Sequence, residues 1–116
     1  MIEQKRIQIK TTKEFNKHLR KIIKQGKDLE KLKKIVKTLS SGQALDKKYR
    51  NHKLRDNKYF KNCYECHIES DWLLVYQFLD DNLILLLINT GSHSELFWEK
   101  GLSSILKSFY LLKNIV

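Results

Sequence analysis

Three of the four histidines lie in segments that we predict to be loops or ends of strands. His52 is in a polar, basic segment, His67 is near the end of one predicted strand, and His93 follows another. An imidazole changes its charge between about pH 5 and pH 8, so it can accept or donate a proton under physiological conditions. If folding brings these side chains together, they form a site for acid–base chemistry.

Asp71 follows His67 after three intervening residues and lies at a predicted hairpin turn. A nearby carboxylate stabilises the charged form of a histidine and so favours proton transfer near neutral pH. Two simpler interpretations stay open. An isolated histidine is more often structural than catalytic, and aspartate commonly forms turns without any further role.

The second half of the chain predicts a β meander. Three apolar segments, at about 60–69, 72–79 and 83–88, are joined by short turns at 70–71 and 80–82. The acidic turn at 80–82 interrupts the most apolar stretch, so this stretch is predicted to be a hairpin and not a membrane span. Ser92 and Glu95 have the spacing of a capping box, which predicts a helical turn beginning near His93.

The first half predicts a short strand followed by two helices. Residues 6–10 alternate between polar and apolar. Thr11 and Glu14 have capping-box spacing for a first helix that ends at Gly26, and Asp28 caps a second helix that ends near 40–42. Their outer faces carry lysines, among them Lys13, Lys17, Lys24, Lys31 and Lys34. Residues 43–58 are predicted to be a loop, and this order of elements indicates an α+β fold.

Charge is distributed unevenly along the 116 residues, which are enough for one domain. Residues 1–62 contain 20 Lys and Arg against 6 Asp and Glu, whereas residues 63–116 contain 3 against 7. This asymmetry favours a polyanionic partner for the first half, nucleic acid being the commonest, although lysine-rich helix faces also occur simply for solubility. The N-terminus has no apolar signal segment, which predicts a cytoplasmic protein.

Cys63 and Cys66 have the spacing of a zinc-binding pair. We predict no metal there, because residues three apart on a strand point to opposite faces and no second cysteine pair completes the site. Both are predicted to be small, partly buried thiols. The sequence contains no glycine-rich phosphate loop and gives no indication of a cofactor.

Three motifs, taken together in this order, resemble the YafQ-like toxins of the RelE/ParE superfamily. They are H-x-L at 52–54, H-I-E-x-D-W at 67–72 and T-G-S-H-x-x-L-F at 90–97. The resemblance implies two N-terminal helices packed on a twisted antiparallel β-sheet, within a toxin domain at 1–97. Residues 98–116 are then an apolar extension, predicted to form an extra C-terminal helix packed on the same domain.

The family consists of bacterial type II toxins that cleave messenger RNA on the translating ribosome without a metal. The resemblance implies catalytic roles for His52, His67, Asp71 and His93. His93 would be the general acid, His67 and Asp71 would orient or deprotonate the 2′-hydroxyl, and His52 would contact phosphate or share the base role. Phe97 would stack on a base, and Trp72 stands beside these residues as a further substrate contact.

Asn89 departs from the family pattern, in which an arginine precedes the Thr-Gly pair. Asparagine donates a hydrogen bond but carries no charge to stabilise a phosphate in the transition state. We expect Lys53, Lys58 or Lys61 to supply the charge, with Asn89 still contacting substrate. The alternative is a non-catalytic RNA- or ribosome-binding module. The ParE-like branch, which acts on gyrase, does not need the three histidines.

The resemblance also implies the partners of the protein. They are messenger RNA on the ribosome and a small, acidic antitoxin protein that covers the basic surface. Promoter DNA would be bound indirectly, through the antitoxin. No membrane partner is expected.

Overall fold

The computed structural model describes residues 7–56 and 61–98, which form a five-stranded sheet with helices on it. The strands are ordered β1-β5-β4-β3-β2 across the sheet. In chain order the elements are β1 (Gln8–Thr11), α1 (Lys13–Lys24), α2 (Leu29–Ser40), a short 3-10 helix (Lys47–Tyr49), β2 (His52–Lys53), β3 (Tyr64–Glu69), β4 (Trp72–Leu79), β5 (Ile84–Gly91) and α3 (His93–Trp98).

The predicted α+β class and the β meander are both confirmed. Strands β2 to β5 pair antiparallel with one another, each with the next strand along the chain. Strand β1 differs, because it pairs with β5 in parallel, with Gln8 opposite Ile84 and Thr11 opposite Leu87. The sheet is therefore mixed and not wholly antiparallel. Parallel strands need a long crossover connection, and here α1, α2 and the rest of the meander all lie between the two strands in the chain.

Helix α1 begins one residue later than its predicted cap. Thr12, not Thr11, is the N-cap, and its hydroxyl accepts a hydrogen bond from the backbone N–H of Phe15 at 3.0 Å. The same hydroxyl donates to the carbonyl of Ile88 in β5 at 2.6 Å. Thr11 is the last residue of β1 and is used in strand pairing, which removes it from the cap.

Helix α2 follows its predicted bounds closely. The carboxylate of Asp28 accepts from the backbone N–H of Glu30 at 3.0 Å, as an N-cap residue does. Beyond the helix, Gly42 has a φ of 78°, in the left-handed region that glycine adopts without steric strain. The buried side chains of α2 are Leu32, Ile35 and Leu39.

The two faces of the sheet contact different parts of the molecule. On one face, α1 and α2 cover an apolar core that includes Ile22, Ile35, Trp72 and Leu85. On the other, a smaller cluster consists of Leu54, Cys63, Leu73, Val75 and Leu96, the last of these from α3. Side chains alternate between the faces along β3 and β4 because successive residues of a strand point in opposite directions.

The two cysteines belong to different clusters, Cys66 to the helix-covered core and Cys63 to the smaller one. Both are free and fully buried, more so than expected. Burial raises the pKa of the Cys66 thiol to about 12. They therefore behave as small apolar side chains, and their placement agrees with the argument against a zinc site.

Two predicted segments, the loop at 43–58 and the C-terminal helix, compare with the described structure in different ways. The predicted loop at 43–58 contains the short 3-10 helix and the two-residue strand β2, which are too short to give a periodic pattern. The predicted extra C-terminal helix lies outside the described residues, which end at 98. Within the described ranges, no helix is long and apolar enough to cross a membrane.

Candidate active site

His93 is held by the turn between β3 and β4. Its backbone N–H and its ring Nδ1 both donate to Oδ1 of Asp71, at 3.1 and 2.8 Å. Since Nδ1 carries a proton in this arrangement, Nε2 is the atom left for chemistry. Burial raises the pKa of the Asp71 carboxyl, but the two hydrogen bonds from His93 outweigh it, and the pKa lies below its usual value.

A reciprocal capping box fixes the start of α3 beside this pair. The backbone N–H of Ser92 donates to Oε1 of Glu95 at 3.2 Å, and the N–H of Glu95 donates to the Ser92 hydroxyl at 3.2 Å. This confirms the predicted spacing. The chain approaches the cap through Gly91, whose φ is 149° and whose hydrogen faces the Glu95 side chain.

His67 lies on β3 at an irregularity in pairing with β4, between His67 and Glu69. Its Nδ1 donates to the carbonyl of Ser70 at 3.3 Å, which leaves Nε2 unprotonated in the neutral ring. Burial lowers the pKa of this imidazole, and the nearby positive groups, Arg50 among them, lower it further. His67 is therefore neutral near pH 7 and able to accept a proton.

His52 is positioned by the backbone of Arg50. The carbonyl of Arg50 accepts from Nδ1 of His52 at 2.8 Å, so Nε2 of His52 points away from it. In the strand pairing, His52 lies opposite Glu65 of β3. The short strand β2 thus brings the first histidine to the same face of the sheet as the second.

Glu65 lies at the centre of these side chains and was missed by the sequence analysis. Its Oε1 is 3.8 Å from Nε2 of His52 and 3.9 Å from Nε2 of His67. The residue is only 3% exposed, and burial raises the pKa of its carboxyl despite the opposing effect of His52 and His93. A signal existed, because Glu65 and His67 are two apart on a predicted strand and so share a face.

The four predicted catalytic residues are brought together with Glu65, and we call these five residues the histidine cluster. The rings of His67 and His93 are 5.7 Å apart between centroids. Within the described residues, Nε2 of His52 and Nε2 of His93 are both buried and have no hydrogen-bond partner. A cluster with anchored Nδ1 atoms and unpaired Nε2 atoms can transfer protons once a bound molecule reaches those Nε2 atoms.

Part of the cluster also has the geometry of a metal site. Glu65, His67 and His93 each offer one ligand atom, and these atoms lie within 4.8 Å of one another. Imidazole and carboxylate ligands suit copper and zinc. The expectation that the protein works without a metal stays a prediction.

Trp72 is not placed to contact substrate, contrary to expectation. It is 1% exposed and belongs to the core beneath α1 and α2. Its Nε1 donates to the hydroxyl of Thr90 at 3.0 Å, and that hydroxyl donates to the carbonyl of Leu73 at 2.7 Å. Because Trp72 points to the helix-covered face, its contribution is to packing.

Asn89 likewise lies on the helix-covered face and is 1% exposed. Its Oδ1 accepts from Nδ1 of His18 at 2.5 Å and from the backbone N–H of Thr90 at 2.9 Å. Its Nδ2 donates to Glu14 at 3.4 Å. The side chain ties β5 to α1 and does not contact the histidine cluster, so the expected substrate contact is not met.

Of the lysines expected to replace the missing arginine, the two that the structure describes, Lys53 and Lys61, do not belong to the cluster. Lys53 is exposed and lines a cleft with Tyr64 and Tyr76, which point to the opposite face from His52. Lys61 is exposed, and its carbonyl accepts from the Gln77 side chain at 2.9 Å. Lys58 lies outside the described residues, as does the side chain of Phe97.

The fold of the described residues agrees with comparisons to known proteins. The family model described as "Bacterial toxin of type II toxin-antitoxin system, YafQ" matches residues 7–98. The mRNA interferase toxin YafQ of Escherichia coli is 32% identical over 85 residues, covering 72% of this chain and 88% of its own length.

Solved structures agree as well. A metal-bound toxin from Helicobacter pylori is 43% identical with a TM-score of 0.72, over 78% of this chain and 99% of the other. The toxin in the E. coli DinJ–YafQ toxin–antitoxin complex is 30% identical with a TM-score of 0.70, over 79% of this chain and 98% of the other. The fold is that of a bacterial type II toxin. This chain belongs to the YafQ toxin family.

Proposed function

We propose that the protein is the toxin of a type II toxin–antitoxin pair and cleaves messenger RNA on the ribosome. The observation that carries the proposal is the convergence of His52, His67 and His93 around the buried Glu65. Its family membership and the interferase activity named for the E. coli relatives support it.

The proposed reaction is an internal transesterification of RNA. The 2′-oxygen attacks the adjacent phosphorus, and the bond from phosphorus to the 5′-oxygen of the next nucleotide breaks. A base takes the proton of the 2′-hydroxyl, and an acid gives a proton to the leaving 5′-oxygen. The products are a 2′,3′-cyclic phosphate and a 5′-hydroxyl, and no metal takes part.

His67 is the proposed base and His93 the proposed acid. The unprotonated Nε2 of His67 faces Glu65, whose carboxylate would stabilise the imidazolium formed when the proton is taken up. His93 is held by Asp71 through Nδ1, so its protonated form presents Nε2–H to the leaving oxygen. His52 contacts the phosphate or shares the base role, and Phe97 stacks on a nucleobase.

Primer extension on a defined messenger RNA tests the proposal, in a purified translation system with and without ribosomes. Replacing His93 with Gln is expected to lower cleavage by about 10²–10⁴-fold, because general acid catalysis contributes that much. Ser94→Gln is the control, since Ser94 is the next, exposed residue of α3. Cleavage of the wild type is expected only with ribosomes. Toxin that has been dialysed against EDTA before it is added to the assay is expected to cleave equally well.

The outcomes separate two functions. Cuts that vanish in His93→Gln and remain in Ser94→Gln support the nuclease, and a pH–rate profile unchanged by His93→Gln would remove the acid role. A wild type that binds ribosomes and cuts nothing would support the alternative, a non-catalytic RNA- or ribosome-binding module. The uncharged, buried Asn89 is the feature that favours this second function.

The proposed partners follow from the same relatives. The E. coli toxin has been solved with the DinJ antitoxin, and we propose a cognate antitoxin for this chain. A formal net charge of +10 favours a small, acidic partner that covers the basic surface and joins the toxin to promoter DNA. Action on ribosomes would place the protein in the cytoplasm.

A further inference from the structure

A basic cleft of about 540 Å³ opens beside the histidine cluster, between α2, the short 3-10 helix and the end of β3. His67 lines the cleft and also belongs to the cluster, so the cleft meets the cluster at this residue. The charged side chains that line the cleft are Lys31, Lys34, Lys48, Arg50 and Glu69.

The charge of the cleft is strongly positive. Four cations face one carboxylate, and Glu69 is already engaged by Lys31 at 2.8 Å and by Lys27 at 3.3 Å. Those contacts hold the pKa of Glu69 below its usual value. Within the described ranges 7–56 and 61–98, neither Lys34, Lys48 nor Arg50 forms an ion pair. The cleft therefore retains positive charge for an anion.

Arg50 is the cation of the cleft whose backbone contacts the histidine cluster. Its φ is 49°, a left-handed conformation that a non-glycine residue adopts only when its surroundings require it. Its N–H donates to the carbonyl of Lys47 at 3.1 Å, and its own carbonyl accepts from His52 at 2.8 Å. The backbone that carries the guanidinium is thus tied directly to a histidine of the cluster.

We propose that the basic cleft binds the phosphodiester next to the scissile one, with Arg50 as its main ligand. The proposal rests on the proposed function, since it takes the histidine cluster as the place of cleavage. A guanidinium can bind a phosphate through two parallel hydrogen bonds, which a lysine cannot do. Arg50 thereby adds positive charge beside the cluster, at the neighbouring phosphate and not at the scissile one.

The test measures binding of a single-stranded 2′-O-methyl RNA dodecamer, which has no free 2′-hydroxyl and is not cleaved. Fluorescence anisotropy at several salt concentrations gives the slope of log K against log[salt]. Each phosphate contact contributes about 0.7 to that slope for a single strand. Arg50→Gln is expected to lower the slope by about 0.7 and to weaken binding several-fold at low salt.

Lys47→Gln is the matched control, because it removes one charge from an exposed residue of the 3-10 helix that does not line the cleft. Arg50→Lys keeps the charge and is expected to retain the slope but to bind less tightly than the wild type. Equal slopes for Arg50→Gln and Lys47→Gln would overturn the proposal, and so would a wild type without affinity for this RNA.

Cleavage assays on the same variants distinguish the two proposals. If the wild type cleaves messenger RNA and Arg50→Gln binds RNA as Lys47→Gln does, phosphate binding by the cleft is refuted and the proposed nuclease activity is supported. If only Arg50→Gln lowers the slope of log K against log[salt] and the wild type does not cleave, the cleft is supported as an RNA-binding site and the proposed nuclease activity is refuted.

Discussion

At the scale of single residues, the cluster depends on how each imidazole is anchored. His52, His67 and His93 all use Nδ1 to donate to an oxygen, from Arg50, Ser70 and Asp71 respectively. Each anchor fixes the ring and leaves Nε2 for substrate. Two of the three anchors are backbone carbonyls, so replacing those side chains would leave the accepting oxygen in place.

Glu65 is expected to lower the stability of the folded protein at neutral pH while it supports the proposed activity. Its folded-state pKa is raised by burial, so the folded protein is penalised at pH values where the carboxyl is ionised. The penalty is absent below the unfolded pKa of about 4.3 and grows as pH rises through the folded pKa. Glu65→Gln should therefore raise the melting temperature at pH 7, with a difference that disappears near pH 4, while it lowers cleavage.

Thermal melts of Glu65→Gln and wild type between pH 4 and pH 8 check this expectation, alongside the cleavage assay. Glu30→Gln is a suitable control, since Glu30 is an exposed carboxylate on α2. A melting temperature lowered at pH 7 would show that the contacts of Glu65 with His52 and His67 outweigh its burial.

The residue pattern and the family resemblance together named the four catalytic candidates, but they did not give the direction of every side chain. Trp72 ends the second motif of the resemblance and Asn89 immediately precedes the third, yet both face the helices. The pairing of β4 with β5 shifts between Val75 and Tyr76, and such a bulge changes which residues share a face. A shift of this kind depends on packing between strands, which spacing along one strand does not reveal.

At the scale of elements, the contact between α1 and β5 depends on buried polar groups. Asn89 accepts from His18 in a place where both side chains are 1% exposed. Asn89→Ala would leave His18 without this partner and is expected to lower the unfolding free energy by about 1–3 kcal/mol. Urea denaturation measures the change.

Asn16→Ala is the control for that experiment, because Asn16 is exposed on α1. It is expected to change stability by less than about 0.5 kcal/mol. If Asn89→Ala were as stable as Asn16→Ala, the buried hydrogen bonds of Asn89 would make no net contribution to the free energy of unfolding.

Most elements could be predicted from the sequence because their patterns are long. Helices α1 and α2 each span 12 residues with regular apolar spacing, and β4 and β5 span 8 each. Strand β2 has only 2 residues, too few for any periodic signal. The parallel pairing of β1 with β5 could not be predicted from the sequence either, because pairing between distant segments leaves no local pattern.

At the scale of the whole molecule, the match to the toxin family covers residues 7–98 of the chain. The family model ends at residue 98, and the H. pylori toxin is matched over 99% of its length by 78% of this chain. A chain ending at Trp98 is therefore expected to fold cooperatively and to keep ribosome-dependent cleavage. Removing residues 99–116 should lower stability if, as we propose, they pack on the domain.

Urea unfolding followed by circular dichroism, together with primer extension, compares the shortened chain with the full one. A shortened chain that unfolds in one transition with unchanged cleavage supports the proposed division. Loss of cleavage with folding intact would assign residues 99–116 to substrate or ribosome binding.

The sheet places the buried polar contacts with α1 on one side and the residues proposed to carry out the chemistry on the other. Asn89, Trp72 and His18 lie on the side covered by α1, whereas Glu65 and His67 lie on the other. Substitutions beneath α1 can therefore alter stability without touching the proposed catalytic side chains, so the two properties can be engineered separately.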